Sequence, residues 1–120
     1  MAMSVEAQVV ASPNLREFLL PTYYVDCDSP AIKDFVLRVA GDEQGRSATD
    51  KAIRLFNAVR DQIRYDPYAV SSSETDYRAS EVLKMPSAFC VPKAILLAAA
   101  MRAVGIPAAI GFADVRNHLN

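Results

Sequence analysis

The chain lacks the charge excess that marks most nucleic-acid-binding proteins. Its 13 basic residues are balanced by 14 acidic ones, which gives a net charge of -1, and the arginines are scattered along the sequence. Such a chain generates no general field that would attract a phosphate backbone. We therefore expect no nucleic-acid partner.

Long apolar runs are also missing. The apolar stretch that begins at Ala94 is interrupted by Arg102, far short of the roughly 20 residues that a membrane span requires. Residues 1–10 have neither the basic start nor the continuous apolar stretch of a secretory signal. These absences predict no membrane partner and a cytoplasmic location.

Metal-binding patterns are scarce as well. His118 is the sole histidine, and the two cysteines, Cys27 and Cys90, form no CxxC pair, so we expect neither a metal site nor a cofactor. In a reducing compartment the two thiols should stay free. Cys27 lies between Asp26 and Asp28, whose charges raise the pKa of the thiol, and it is therefore predicted to be inert.

The composition is that of one ordinary globular domain. Of the 120 residues, 52% are hydrophobic and 22% are charged, which suffices to bury a core without disulfide or metal support. We expect a single domain over residues 1–120.

Hydrophobic periodicity predicts helices separated by polar segments, after a weakly alternating N-terminal segment that forms a strand or an extended arm. Ser29-Pro30 and Gly41 bound the first helix. A capping-box pattern at residues 47–50 begins the second, which should run to about Arg64. Ser80 is predicted to cap a short third helix, after an exposed polar loop over residues 68–77. The apolar face predicted for the second helix consists of Ala52, Phe56, Val59 and Ile63.

A central helix is predicted from about Phe89 to Val104, with Pro92 in its first turn and Gly105 at its end. It is apolar almost all round, which predicts burial on most faces. The segment 108–115 that follows is predicted to be a strand.

Cys90, at the start of this helix, has two interpretations. Free cysteine is often a small buried hydrophobic residue, and periodicity alone favours that role. Alternatively, the N–H groups of a first helical turn stabilise a thiolate, which makes Cys90 a candidate nucleophile for attack on an acyl carbon.

Tyr65 and Tyr68 flank the helix-ending pair Asp66-Pro67. They either wall a substrate groove or pack on the core where the second helix stops.

Several segments, taken together, resemble bacterial transglutaminase-like proteins. They are Ile63-Arg64-Tyr65-Asp66, Ala79-Ser80-Glu81-Val82-Leu83, Cys90-Val91-Pro92-Lys93-Ala94, Met101-Arg102-Ala103-Val104-Gly105-Ile106-Pro107-Ala108 and the run from Gly111 to His118. The resemblance covers roughly Ala48 to the C-terminus.

The resemblance implies an α+β fold, the mainly helical half of a papain-like domain. A cysteine at the start of the central buried helix, followed by a strand, attacks an amide or ester in this family, and a histidine and an aspartate on later strands complete the triad. Only Cys90 corresponds directly to a family catalytic residue. We expect the chain to be the N-terminal, nucleophile-bearing part of such a domain, inactive or nearly so alone.

His118 and Asp114 are weaker candidates for the base and for its orienting carboxylate. In the family the Arg-Asn-His stretch precedes the catalytic histidine, which favours a loop role for His118. For Asp114, a solvated charge at a strand edge is the simpler interpretation.

The resemblance implies a peptide, protein or small amide as substrate. Ala88 stands where family members commonly have glycine, which favours an alternative, a non-catalytic binding or interaction module. A further possibility is a homodimer formed through an exposed sheet edge after residues 110–115.

Overall fold

A computed structural model describes residues 3–11, 16–41 and 47–116, with ranges 3–11 and 112–116 described as backbone only. In chain order the elements are β1 (Met3–Ala11), α1 (Pro30–Ala40), α2 (Ala48–Gln62), β2 (Arg64–Tyr65), α3 (Ala79–Val82), β3 (Ser87–Ala88), α4 (Cys90–Ala103) and β4 (Ala108–Arg116). Short 3-10 helices lie at Arg16–Leu19 and Glu74–Tyr77. The fold is a small α+β arrangement in which helices predominate.

Helix α4 forms the centre of the structure. Residues 94–100 are buried without interruption, and α1, α2, α3, β1 and β4 all pack against the helix. The fully buried side chains of Ile32 and Phe35 in α1, Leu55 in α2 and Val82 in α3 surround Leu96 of α4 in one core. Burial of the apolar helix on most faces, predicted from its composition, is confirmed.

The strands near the two ends of the described chain pair with each other. β1 and β4 are antiparallel, with Met3 opposite Arg116 and Ala11 opposite Ala108. The weak N-terminal alternation and the run after Pro107 therefore both form strands, as predicted. The β1–β4 ribbon packs on α4 and completes the cover over that helix.

Helix α2 begins as its capping box predicts, because the Oγ of Ser47 accepts a hydrogen bond from the N–H of Asp50 at 3.1 Å. Its predicted apolar face is confirmed at Val59 and Ile63, which are buried, but is wrong by one residue at Phe56. Phe56 is 51% exposed, whereas Leu55 is fully buried. Apolar residues at both positions leave the periodicity ambiguous, and packing against the core selects Leu55.

The predicted cap of the third helix is wrong. α3 begins at Ala79, so Ser80 lies inside it. The carboxylate of Asp26 accepts a hydrogen bond from the N–H of Ser80 at 3.0 Å and another from its hydroxyl. The N–H group of Ser80 in the first turn of α3 is thus hydrogen-bonded by a side chain that is distant in sequence. A local sequence pattern cannot reveal such a partner.

Candidate functional site

Cys90 is the first residue of α4, and its side chain is half-buried. The N–H groups of a first helical turn have no acceptor within the helix and carry the positive end of its dipole. Pro92 takes a position in this turn where its missing N–H costs nothing. The thiol of Cys90 therefore lies on the first residue at the N-terminal end of α4.

The backbone just before Cys90 is held by a short parallel ladder. β3 pairs with β2 so that Tyr65 lies opposite Ala88. The N–H of Arg64 donates to the carbonyl of Pro86 at 3.1 Å, and that of Asp66 donates to the carbonyl of Ala88 at 2.9 Å. The ladder places the segment at residues 64–66 beside the approach to α4.

Val91, the residue after Cys90, contributes to a cavity wall, and Phe89, the residue before it, packs on another residue of that wall, Tyr77. The ring of Phe89 packs edge-to-face on Tyr77, with centroids 6.0 Å apart, and the hydroxyl of Tyr77 donates to the carbonyl of Ser71 at 2.8 Å. A cavity of about 490 Å³ opens beside them. Its lining is mainly apolar and includes Tyr24, Val25, Tyr77, Val91, Ile95 and Ile110, with Glu74 as its charged member.

Lys93 follows Cys90 within the first turn of α4. Its Nζ donates to the carbonyl of Ile63 at 2.6 Å and to that of Arg60 at 3.2 Å. Burial lowers the pKa of Lys93, and the charge of nearby Asp61 partly opposes that shift. The side chain therefore joins the start of α4 to the end of α2.

Tyr65 and Tyr68 do not pack on the core. They are 57% and 91% exposed, so the core-packing interpretation is wrong. The carboxylate of Asp66 accepts the N–H of Tyr68 at 3.0 Å, an arrangement that fixes the turn between the two rings.

The second thiol, that of Cys27, is buried and lies 3.9 Å from the carbonyl oxygen of Leu19. Burial is the main cause that raises the pKa of Cys27, while the guanidinium of Arg102 lowers it and the carboxylates of Asp28 and Asp26 raise it further. The expected direction is confirmed, but burial outweighs the flanking aspartates. Cys27 and Cys90 are not joined by a disulfide.

The weaker candidates fall at the edge of the described chain. Asp114 lies on β4 opposite Val5, where the backbone alone is described. His118 lies outside the described residues. Cys90 and Asp114 thus lie on two elements that pack together, α4 and β4.

Sequence reasoning missed Lys93 as part of this site. Its position three residues after Cys90 was visible, but its acceptors are backbone carbonyls of another helix, which leave no sequence signal. Within the described ranges, no group of three or more potential metal ligands occurs. A search of the same residues finds no helix with the length and apolar character to cross a membrane.

The family model of the transglutaminase-like superfamily matches residues 33–120. No curated protein and no solved structure matches the chain.

Proposed function

Because this chain belongs to the transglutaminase-like superfamily, we propose that Cys90 is the nucleophile of a thiol-dependent acyl transfer or amide hydrolysis. The observation that carries the proposal is the position of Cys90 as first residue of the buried central helix, within the matched region. A helix N-terminus favours both an anionic sulfur and the oxyanion formed during attack on a carbonyl.

In the proposed reaction the thiolate sulfur of Cys90 forms a bond to the carbonyl carbon of the substrate. The bond from that carbon to the leaving nitrogen or oxygen then breaks, and the leaving group takes up a proton. Water or a second amine attacks the thioester, loses a proton and releases the Cys90 thiol. Water gives hydrolysis, whereas an amine gives transfer.

Proton movement in this scheme requires a base and a group that orients it. Among the residues of this chain we propose His118, the sole histidine, for the base, as the alternative to the loop role that the resemblance favours, and Asp114 for the orienting carboxylate. The packing of β4, which carries Asp114, on α4 supports the second assignment. His118→Ala and Asp114→Asn should each slow acylation of Cys90 without unfolding the protein.

The cavity lined by Tyr77 and by Val91, the residue after Cys90, supports a substrate with an apolar group next to the scissile bond. Its volume of about 490 Å³ lies within the range of small-molecule pockets. A peptide, protein or small amide fits this description. Cys27 and Cys90 form no disulfide, which supports a reducing, cytoplasmic compartment for the reaction.

The experiment is acylation by p-nitrophenyl acetate. This activated ester measures the nucleophilic reactivity of Cys90, and the natural substrate need not be known. Attack by Cys90 releases p-nitrophenolate and leaves an acetyl thioester, read by absorbance and by peptide mass. Wild type and Cys27→Ala should acquire one acetyl group at Cys90, and Cys90→Ser should acquire no thioester. Equal acetyl labelling of native and denatured protein at both cysteines would contradict the proposal.

A non-catalytic binding module is the second candidate, and Ala88 favours it. Ala88 is buried and lies two residues before Cys90, at a position where the family resemblance implies glycine, so a methyl group occupies backbone space near the thiol. This candidate predicts that Ala88→Gly, and not wild type, becomes acetylated at Cys90.

We also propose that two copies associate through the β1–β4 ribbon. Within the described residues this sheet has two strands, so each strand has an edge that the other does not cover. Sedimentation equilibrium over a wide concentration range tests this: a monomer mass at every concentration would exclude the dimer.

A further inference from the structure

The start of α4 is attached to a single short segment at two points, one on each side of Cys90. Before the thiol, the β2–β3 ladder bonds Pro86 and Ala88 to Arg64 and Asp66. After the thiol, Lys93 bonds to the carbonyls at the end of α2, which lead directly into β2. Residues 60–66 thus hold the chain on both sides of Cys90.

The acceptors of Lys93 belong to the negative end of a helix. Carbonyls at a helix C-terminus have no donor within the helix and carry a partial negative charge. The Nζ of Lys93 lies 2.6 Å from the carbonyl oxygen of Ile63 and 3.2 Å from that of Arg60. Its ammonium group therefore neutralises the end of α2 at the point where α2 meets the start of α4.

This neutralisation matters for Cys90 because of helical spacing. Residues three apart on a helix are surface neighbours, about 5–6 Å between their Cβ atoms. Lys93 lies three residues after Cys90 in the same turn. Without the ammonium group, the exposed carbonyls of α2 would oppose the positive end of α4, and a thiolate would be less favoured.

We propose that Lys93 is a positioning residue for Cys90: by binding the α2 carbonyls it fixes the first turn of α4 and keeps that end of α2 from repelling the thiolate. The inference rests on the proposed function of Cys90. Lys93 itself does not touch the reacting atoms in this role. Lys93 acts on Cys90 through the backbone of the first turn of α4 and through the electrostatic field at the thiol.

The test uses the whole chain and iodoacetamide, with alkylation of Cys90 followed by peptide mass under native conditions. Lys93→Met keeps the apolar stem and removes the ammonium group. We expect Cys90 in this variant to react about two- to fivefold more slowly at neutral pH. The deficit should vanish at alkaline pH, where thiols are ionised regardless of the local field, a result that a lost packing contact would not produce.

Two variants control the test. Lys93→Arg keeps the positive charge and N–H donors and should restore the neutral-pH rate. Lys84→Met removes a lysine that is paired with Glu81 on the surface, and should leave the rate unchanged. If Lys93→Met does not fold, Lys93→Gln, which is neutral but keeps N–H donors, is measured in its place and should show the same pH-dependent deficit.

An unchanged rate of Cys90 alkylation in the neutral Lys93 variants would overturn the inference. So would an equal loss of rate in Lys84→Met, or a failure of Lys93→Arg to restore the rate. Acetylation by p-nitrophenyl acetate separates this failure from that of the proposed function. Alkylation that depends on Lys93 without any acetyl thioester would refute the catalytic role alone. A thioester that forms equally fast without Lys93 would refute the positioning role alone.

Discussion

Asp26 and Ser80 lie 54 residues apart in sequence, and the Oδ1 of Asp26 accepts a hydrogen bond from the backbone N–H of Ser80 at 3.0 Å. The Ser80 hydroxyl donates to the other carboxylate oxygen. Arg78 places its guanidinium 3.5 Å from that same oxygen. A buried carboxylate thus joins the chain before α1 to the first turn of α3.

Replacing Asp26 should strongly destabilise the protein. Asp26→Ala leaves the N–H and hydroxyl of Ser80 without this acceptor, and we expect the free energy of unfolding to fall by about 2–4 kcal/mol. Urea denaturation followed by circular dichroism measures the loss. Asp28→Ala, at an exposed neighbouring position, is the matched control and should change stability by less than about 0.5 kcal/mol.

Cys27 should make stability fall at alkaline pH. Burial raises the pKa of Cys27 above that of an unfolded thiol, so the folded state keeps its proton at a pH where the unfolded chain has lost it. The contribution is fully present below about pH 8.5 and is lost as pH rises through the folded pKa.

The comparison of wild type with Cys27→Ala isolates this effect, because other groups such as Lys93 titrate in both proteins. Denaturant midpoints from pH 7 to pH 10 should show wild type losing stability relative to the variant above about pH 8.5. A constant difference across that range would exclude Cys27 as the cause.

Arg102 should contribute more to stability than a surface arginine does. It is buried, and it donates from Nε to the carbonyl of Ala108 at 2.8 Å and from Nη1 to that of Leu20 at 2.7 Å. Arg102→Met removes donors from both carbonyls and should cost about 3 kcal/mol in urea denaturation. Arg54→Met, on the exposed face of α2, should cost well under 1 kcal/mol.

Replacing Gly105 should lower stability because of its backbone geometry. It follows the end of α4 with φ of 85°, and no heavy atom other than its own and those of its two chain neighbours lies within 4 Å of the position that a Cβ would take. Gly105→Ala should therefore lower the free energy of unfolding by about 1 kcal/mol through conformational strain alone. Gly105→Asn should cost less, because asparagine tolerates this region better. Equal losses in thermal denaturation would argue against the strain explanation.

The sequence predicted the elements whose signals are local. The capping box at Ser47, the apolar run of α4 and the glycine stop at Gly105 each act within a few residues. Their bounds agree with the prediction to within about two residues, as expected for strongly patterned segments. The cysteine at the start of α4 was recognisable for the same reason.

Features that depend on distant partners were not predictable. β2 and β3 have two residues each, and they form because the segment at Arg64 pairs with the segment at Ser87. Strands this short contain no periodic pattern that could be detected in the sequence. Arg102 stood out in sequence merely as an interruption of the apolar run, yet its side chain is buried against two carbonyls. In such cases the folded chain supplies a partner that no local window contains.

The pairing of β1 with β4 sets the order in which the protein can be completed during its synthesis. β1 leaves the ribosome before any other described element, but its partner is the last of them. Every helix of the core is translated in the interval, and during that time the backbone N–H and C=O groups of β1 lack the hydrogen-bond partners that β4 provides. A nascent chain therefore carries an open strand edge until translation is nearly past Arg116, and this is the state in which chaperone binding would protect it most.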